Sequence, residues 1–126
     1  MFSHIMVGAN DVEESKKFYD ATLAAMGHSA GTNDKNGRCF YVADGLMFAL
    51  TKPINGESAC HGNGSTIGFA AKSEAEVDAW YAAGIANGGE HCEDAPGVRE
   101  SDMGGLYLAY LRDPSGNKLC AMYRMG

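Results

Sequence analysis

Residues 4–27, HIMVGANDVEESKKFYDATLAAMG, lie over residues 66–89, TIGFAAKSEAEVDAWYAAGIANGG, without a gap. A repeat of this kind weighs more than any single element, because each copy is one supersecondary unit that buries its apolar face against its neighbour. Ile5 falls on Ile67, Val7 on Phe69, Phe18-Tyr19 on Trp80-Tyr81, Leu23 on Ile85 and Gly27 on Gly89. Each copy opens with a short run suited to a strand, Ile5-Met6-Val7 or Ile67-Gly68-Phe69. A helix-start signal follows: Asp11 or Ser73, with Glu14 or Glu76 three residues on, the spacing of a capping box. Val12, Phe18, Tyr19, Thr22 and Leu23 then recur at helical spacing, as do Val77, Trp80, Tyr81, Gly84 and Ile85. Gly27 and Gly88-Gly89 suit the left-handed residue that ends a helix. Equivalent helices are expected over residues 11–26 and 73–87.

After each helix the pattern changes from helical to extended. Residues 38–42 and 47–51 flank Ala43-Asp44-Gly45 and read as a hairpin, since Asp-Gly is a strong two-residue turn signal. Residues 107–112 and 118–123 flank Asp113-Pro114-Ser115-Gly116-Asn117 in the same way. Each half is therefore strand, helix, then two or three strands. The Gly-rich stretch Ile54–Gly64 reads as a linker, so one domain is expected, built from repeats 1–53 and 65–126.

Composition agrees with one globular unit: 126 residues, 45% hydrophobic and 21% charged, enough to bury a core. Sixteen acidic and ten basic side chains give a net charge of −6. No Lys/Arg run follows a phosphate backbone, so neither nucleic acid nor an anionic membrane is an expected partner. No apolar stretch approaches the roughly 20 residues of a membrane span. Met1-Phe2-Ser3-His4 lacks the basic and apolar regions of a secretory signal, so a cytoplasmic protein is expected. Cys39, Cys60, Cys92 and Cys120 are widely spaced with no CxxC pair, and read as reduced thiols.

The opening SHIMVGANDVEESKKFYDATLAAMG resembles the first βα unit of the vicinal-oxygen-chelate superfamily, and the closing YLRDPSGNKLCAMY resembles its last hairpin. That superfamily includes glyoxalase I, fosfomycin-resistance proteins, extradiol dioxygenases and bleomycin-binding proteins. The resemblance covers essentially the whole chain. It implies an α+β fold in which two βαβββ repeats form a curved mixed sheet around a cleft, with the helices outside. Strand alternation then assigns the faces. With Ile5, Val7, Ile67 and Phe69 beneath the helices, His4, Met6, Thr66 and Gly68 point into the cleft. With Leu119, Ala121 and Tyr123 buried, Lys118, Cys120 and Met122 turn inward.

In metal-dependent members the resemblance implies a first ligand at His4, a second near Phe48, a third at Thr66 and a fourth at Cys120, where the family's closing motif carries Glu. Only His4 matches. His4 with Cys120 gives at most two donors, whereas Lewis-acid chemistry generally uses about three protein ligands and an open position. No cofactor is expected, with a divalent metal at His4 the alternative. The adjacent pairs Cys60-His61 and His91-Cys92 match no zinc spacing. His4 also reads as a histidine hydrogen-bonded at the cleft floor, and Cys120 as a small buried hydrophobe. Phe18, Tyr19, Trp80 and Tyr81 read as core, and Asp11, Glu13, Glu14, Lys16 and Lys17 as a solvated helix face.

Residues 93–105, EDAPGVRESDMGG, read as a long irregular loop, either a lid or a disordered stretch, with Arg99 as a fork for a carboxylate or phosphate. The candidate ligand-binding residues are thus His4, Phe48, Thr66, Arg99, Cys120 and Met122. Three functions compete: a non-catalytic small-molecule binding protein, an enzyme of lactoylglutathione-lyase type using His4 with a recruited metal or in metal-free acid/base work, and a structural or regulatory dimer with a vestigial cleft. A homodimer is expected, because a bare sheet edge invites pairing.

Overall fold

The computed structural model describes residues 1–126. The first half runs β1 (His4–Gly8), α1 (Val12–Ala24), β2 (Thr32–Asn33), β3 (Cys39–Ala43) and β4 (Leu46–Thr51). The second runs β5 (Ile67–Ala70), α2 (Glu74–Ala86), β6 (Glu90–His91), β7 (Gly97–Ser101), β8 (Gly104–Arg112) and β9 (Lys118–Arg124). Residues 52–66 between them hold no helix or strand.

Both helices start where the capping signals stand. The Glu14 N–H donates to Asp11 Oδ1 and the Glu76 N–H to Ser73 Oγ, each at 3.1 Å, which satisfies one orphan donor of each first turn. Glu76 also accepts from the Lys72 N–H at 2.9 Å, one residue before the cap rather than at the cap itself. α1 stops at Ala24, slightly short of expectation, and the chain turns at Gly27, whose φ of 85° a side chain would resist. Asp44 (φ 54°) and Gly45 (φ 77°) form the tight β3–β4 connection, and both take the positive φ that a twisted two-residue hairpin demands.

The two halves share a strand plan. β1 pairs with β4 in parallel, and β5 with β9, so each first strand returns beside its half's last one. The sheets, β1-β4-β3-β2 and β5-β9-β8-β6 with β7 also on β8, are open and not hydrogen-bonded to each other. α1 and α2 pack on one another, and one apolar core joins both helices to the helix-facing sides of both sheets. Phe18, Tyr19 and Trp80 lie fully buried in it, as expected, whereas Tyr81 is only half-buried at its edge, where its hydroxyl lies against His91. The Phe48 ring meets Phe69 at 5.4 Å, which links the sheets directly.

The stretch 93–105 departs from the expected irregular loop. Residues Gly97–Ser101 form β7, paired antiparallel with β8 from Gly97↔Leu108 to Ser101↔Gly104. The sequence hid this strand because it lies at a sheet edge, where Arg99 and Glu100 need no burial and only Val98 is apolar. Its conformation is imposed by the nine-residue template of β8.

Candidate functional site

Both helices cover the same side of their sheets, so each sheet has a far face without a helix. Cross-strand partners share a face, so the register assigns it. On the first sheet the far face carries His4 and Met6 of β1, Met47 and Ala49 of β4, and Phe40 and Val42 of β3. On the second it carries Arg99 of β7, Leu106, Leu108 and Tyr110 of β8, Lys118, Cys120 and Met122 of β9, and Gly68 of β5.

Phe48 is therefore not on the far face. It is only 8% exposed, packs in the helix-side core and pairs with Ile5, while the partner of His4 is Met47. A shift of one residue in a strand reverses the face, and the sequence alone did not set the β1–β4 register. His4 is exposed, and Ser3 Oγ lies 2.8 Å from its Nδ1. Thr66 is exposed immediately before β5.

Cys120, Met122 and Arg99 do share one face. Leu106, Leu108 and Cys120 form a second apolar cluster there, flanked by Tyr110 and Met122. Burial pushes the Cys120 thiol up to about 11, against the opposing pull of the Tyr110 hydrogen bond and of Lys118 and Arg99. At neutral pH the group is a thiol, not a nucleophilic or metal-binding thiolate. Lys118 sits 5.1 Å from the centre of the Tyr110 ring and pairs with Glu93. Glu93 adopts a left-handed φ of 57° in the turn that brings it there. The Arg99 Nη2 donates to the carbonyls of Asp94 (3.4 Å) and Ala95 (3.1 Å). Tyr110 was missed by sequence reasoning, although the 113–117 turn places residue 110 opposite residue 120 once Arg112 pairs with Lys118.

The donors do not fit the divalent ion of metal-dependent relatives. No three His, Cys, Asp or Glu side chains come together anywhere in the chain. Where ligands would be needed, the far faces present a neutral buried thiol and the thioethers of Met47 and Met122, poor partners for ions that want oxygen and imidazole. The two Cys-His pairs stay apart. His91 Nδ1 lies 2.8 Å from the Tyr81 hydroxyl on the helix side, and Cys60 and His61 are exposed in the 52–66 segment. Two surface depressions, of about 480 and 320 Å³, are lined by Glu13, Lys16, Lys17 and Asp20 and by Asn10, Lys52 and Pro53 respectively, and touch none of the expected site residues.

Two repeated strand-helix-strand modules with parallel first and last strands, a shared helix-side core and uncovered far faces define a paired-module α+β protein. The sequence profile of the Glyoxalase/Bleomycin resistance protein/Dioxygenase superfamily matches residues 1–121, and the chain belongs to that superfamily. A glyoxalase/bleomycin resistance protein from Albidiferax ferrireducens T118 is similar at 59% identity with a TM-score of 0.94, covering 98% of this chain and 99% of that one. A glyoxalase-related enzyme from Fulvimarina pelagi matches at 21% identity and TM-score 0.76, over 98% of this chain and 88% of that one. A lactoylglutathione lyase from Agrobacterium tumefaciens matches at 22% identity and TM-score 0.66, over 98% and 92%. These last two likenesses show the fold alone. No curated protein matches the chain.

Proposed function

We propose that this superfamily member binds a small molecule against its far sheet faces and does not depend on a bound metal. The observation that carries this reading is the second sheet's far face, which no helix covers and where half-exposed Tyr110 and Met122 flank the buried apolar cluster of Leu106, Leu108 and Cys120. We take the chain as one domain of two repeats, 1–53 and 65–126, acting in the cytoplasm with its four cysteines as free thiols. No helix is long and apolar enough to cross a membrane.

A homodimer would complete the cleft. The chain exposes 7147 Å², whereas a monomer of 13.3 kDa is expected to expose about 6,500 Å². β1 and β5 each end their sheet as bare edges, and Met6 and Val42 stand exposed on the first far face. Thermal shifts against a metabolite panel test the binding reading, with a ligand-dependent rise in Tm as the expected result. A panel that moves Tm nowhere, with sedimentation at high concentration showing only 13.3 kDa monomer, would refute both parts.

A metal-dependent reading of lactoylglutathione-lyase type rests on one observation, the exposed His4 ring steadied at Nδ1 by Ser3. Formation or breakdown of lactoylglutathione that requires added divalent metal and is lost in His4→Ala would favour it.

A further inference from the structure

The two far faces differ in charge. On the first sheet no Asp, Glu, Lys or Arg stands among the strand residues facing that side, which include His4, Met6, Phe40, Val42, Met47 and Ala49. On the second sheet, Arg99 pairs with Leu106, Arg112 with Lys118, and Arg124 with Leu106, so all four cations share the face of Leu106, Tyr110 and Cys120. Four of the chain's ten Lys and Arg thus gather on one face of one sheet, in a chain of net charge −6. Against them stand two carboxylates, Glu90 opposite Arg112 and Glu93 on Lys118.

Arg99 is the distinctive member of the four. It is half-buried beside the apolar floor and forms no ion pair, unlike Lys118. Only its Nη2 is engaged, by two backbone carbonyls that hold the guanidinium in place without neutralising it. Arg112 instead donates Nη1 to the Gly116 carbonyl in the β8–β9 turn, and Arg124 is exposed with its Nη1 near the Met103 sulfur. Gly97, on the same face, presents no side chain next to Arg99. A Cβ placed there would lie 3.4 Å from Arg99 Nη1. Cys120, whose thiol stays protonated at neutral pH, adds no negative charge to the floor.

We propose that the ligand of this face is an organic anion, its apolar body against the half-exposed Tyr110 and Met122 that flank the buried Leu106, Leu108 and Cys120, and its carboxylate on the free Nη1 of Arg99. This assignment deepens the binding reading above and rests on it. A guanidinium held at Nη2 by backbone carbonyls keeps its full charge and its Nη1 donors for a carboxylate, and a charge at the rim of an apolar face selects molecules having both parts. A neutral apolar molecule leaves the guanidinium unused, and a small inorganic anion leaves the floor uncovered.

The probes are 1-naphthoate and its neutral amide, 1-naphthamide, compared by titration calorimetry on the whole protein. A charge-assisted hydrogen bond predicts that naphthoate binds at least about tenfold tighter than naphthamide. The preference should weaken as NaCl is raised, and disappear in Arg99→Met with naphthamide affinity unchanged; Arg99→Lys should restore only part of it, because lysine lacks the planar group that the Asp94 and Ala95 carbonyls hold in place. Equal binding of the two probes, or a preference that survives in Arg99→Met, overturns the assignment and leaves the binding reading standing. Binding of neither probe also overturns it, and the metabolite panel then decides separately whether the binding reading falls too. Salt dependence in the wild-type protein keeps the test decisive if the Met variant fails to fold.

Discussion

Tyr19 of α1 donates its hydroxyl to Asp113 Oδ2 at 2.6 Å, across 94 residues, and so joins the helix of one half to the last hairpin of the other. Asp113 is 3% exposed and accepts three further hydrogen bonds, from the Ser115 N–H, the Asn117 N–H and Asn117 Nδ2. Asn117 Nδ2 also donates to the Gly8 carbonyl, and the Asn10 N–H donates to Ser115 Oγ, so the turn grips the β1–α1 junction. Burial, reinforced by the Asp113 charge, raises the Tyr19 hydroxyl well above its ordinary value and keeps it a donor. Tyr19→Phe should cost about 1–3 kcal/mol, the usual loss when a buried charged acceptor loses a partner. Asp113→Ala should cost more, because four donors lose their acceptor at once. The double variant should fall short of the sum of the singles. Urea unfolding measures all three, and a Tyr19→Phe midpoint equal to wild type would show that the bond adds nothing.

Gly84 lies inside α2, where alanine would ordinarily stabilise by about 1 kcal/mol. Here a Cβ would stand 2.2 Å from Leu111 Cδ1, 3.2 Å from Phe18 and 3.3 Å from Thr22, all in the packed core. Gly84→Ala is therefore expected to lower Tm, as overpacking outweighs propensity. Gly68→Ala, on the open far face of β5, meets nothing within 4 Å and should leave Tm unchanged or slightly higher. Thermal melts showing a drop for Gly84→Ala and none for Gly68→Ala support this; an unchanged or raised Tm for Gly84→Ala contradicts it.

Asp20 carries the clearest pH dependence. Burial works to raise its carboxyl, but bonds from Lys16 (2.8 Å), the Gly31 N–H (2.9 Å) and the Tyr41 hydroxyl (2.7 Å) outweigh it and hold the group below its ordinary value. A carboxyl depressed in the folded state contributes stability that is complete above the unfolded value of about 3.9 and is lost as pH falls through the folded value. Asp20→Asn should therefore be less stable than wild type at pH 7, with the gap closing below about pH 4. Denaturation midpoints at pH 7, 4 and 3 read this directly, and a constant gap would contradict it.

The cysteines should separate by reactivity. Cys60 is exposed and Cys92 half-exposed, whereas Cys39 and Cys120 are buried and burial raises both their thiols. Iodoacetamide at pH 7.5 should label Cys60 first, then Cys92, and reach Cys39 and Cys120 only under denaturing conditions. Peptide mass spectrometry gives the order, and early labelling of Cys120 would show an accessible thiolate on the far face.

Purified without chelator, the protein should carry no stoichiometric Ni, Mn, Fe or Zn, since the far faces bring no three donors together: they offer one imidazole, one neutral thiol, thioethers, and the carboxylates of Glu90 and Glu93 beside Arg112 and Lys118. Elemental analysis checks this. One equivalent of metal, lost in His4→Ala, would reverse the conclusion and restore the lyase reading.

The amino-acid sequence by itself determined the repeated unit, both capped helices and two of the hairpins. These are specified by local physics: cap side chains three residues from their donors, a helical apolar period, and Asp-Gly or Pro-Gly turns. It also determined that Leu119 and Ala121 face the helices and Cys120 does not, because alternation within one strand needs no partner. Only the tertiary structure decided the register between strands far apart in the chain. That register put Phe48 in the core and Met47 beside His4. The same kind of non-local pairing made β7 from a polar segment and carried Arg99 onto the face of Cys120, because an edge strand takes its conformation from the neighbour it bonds to and not from its own residues.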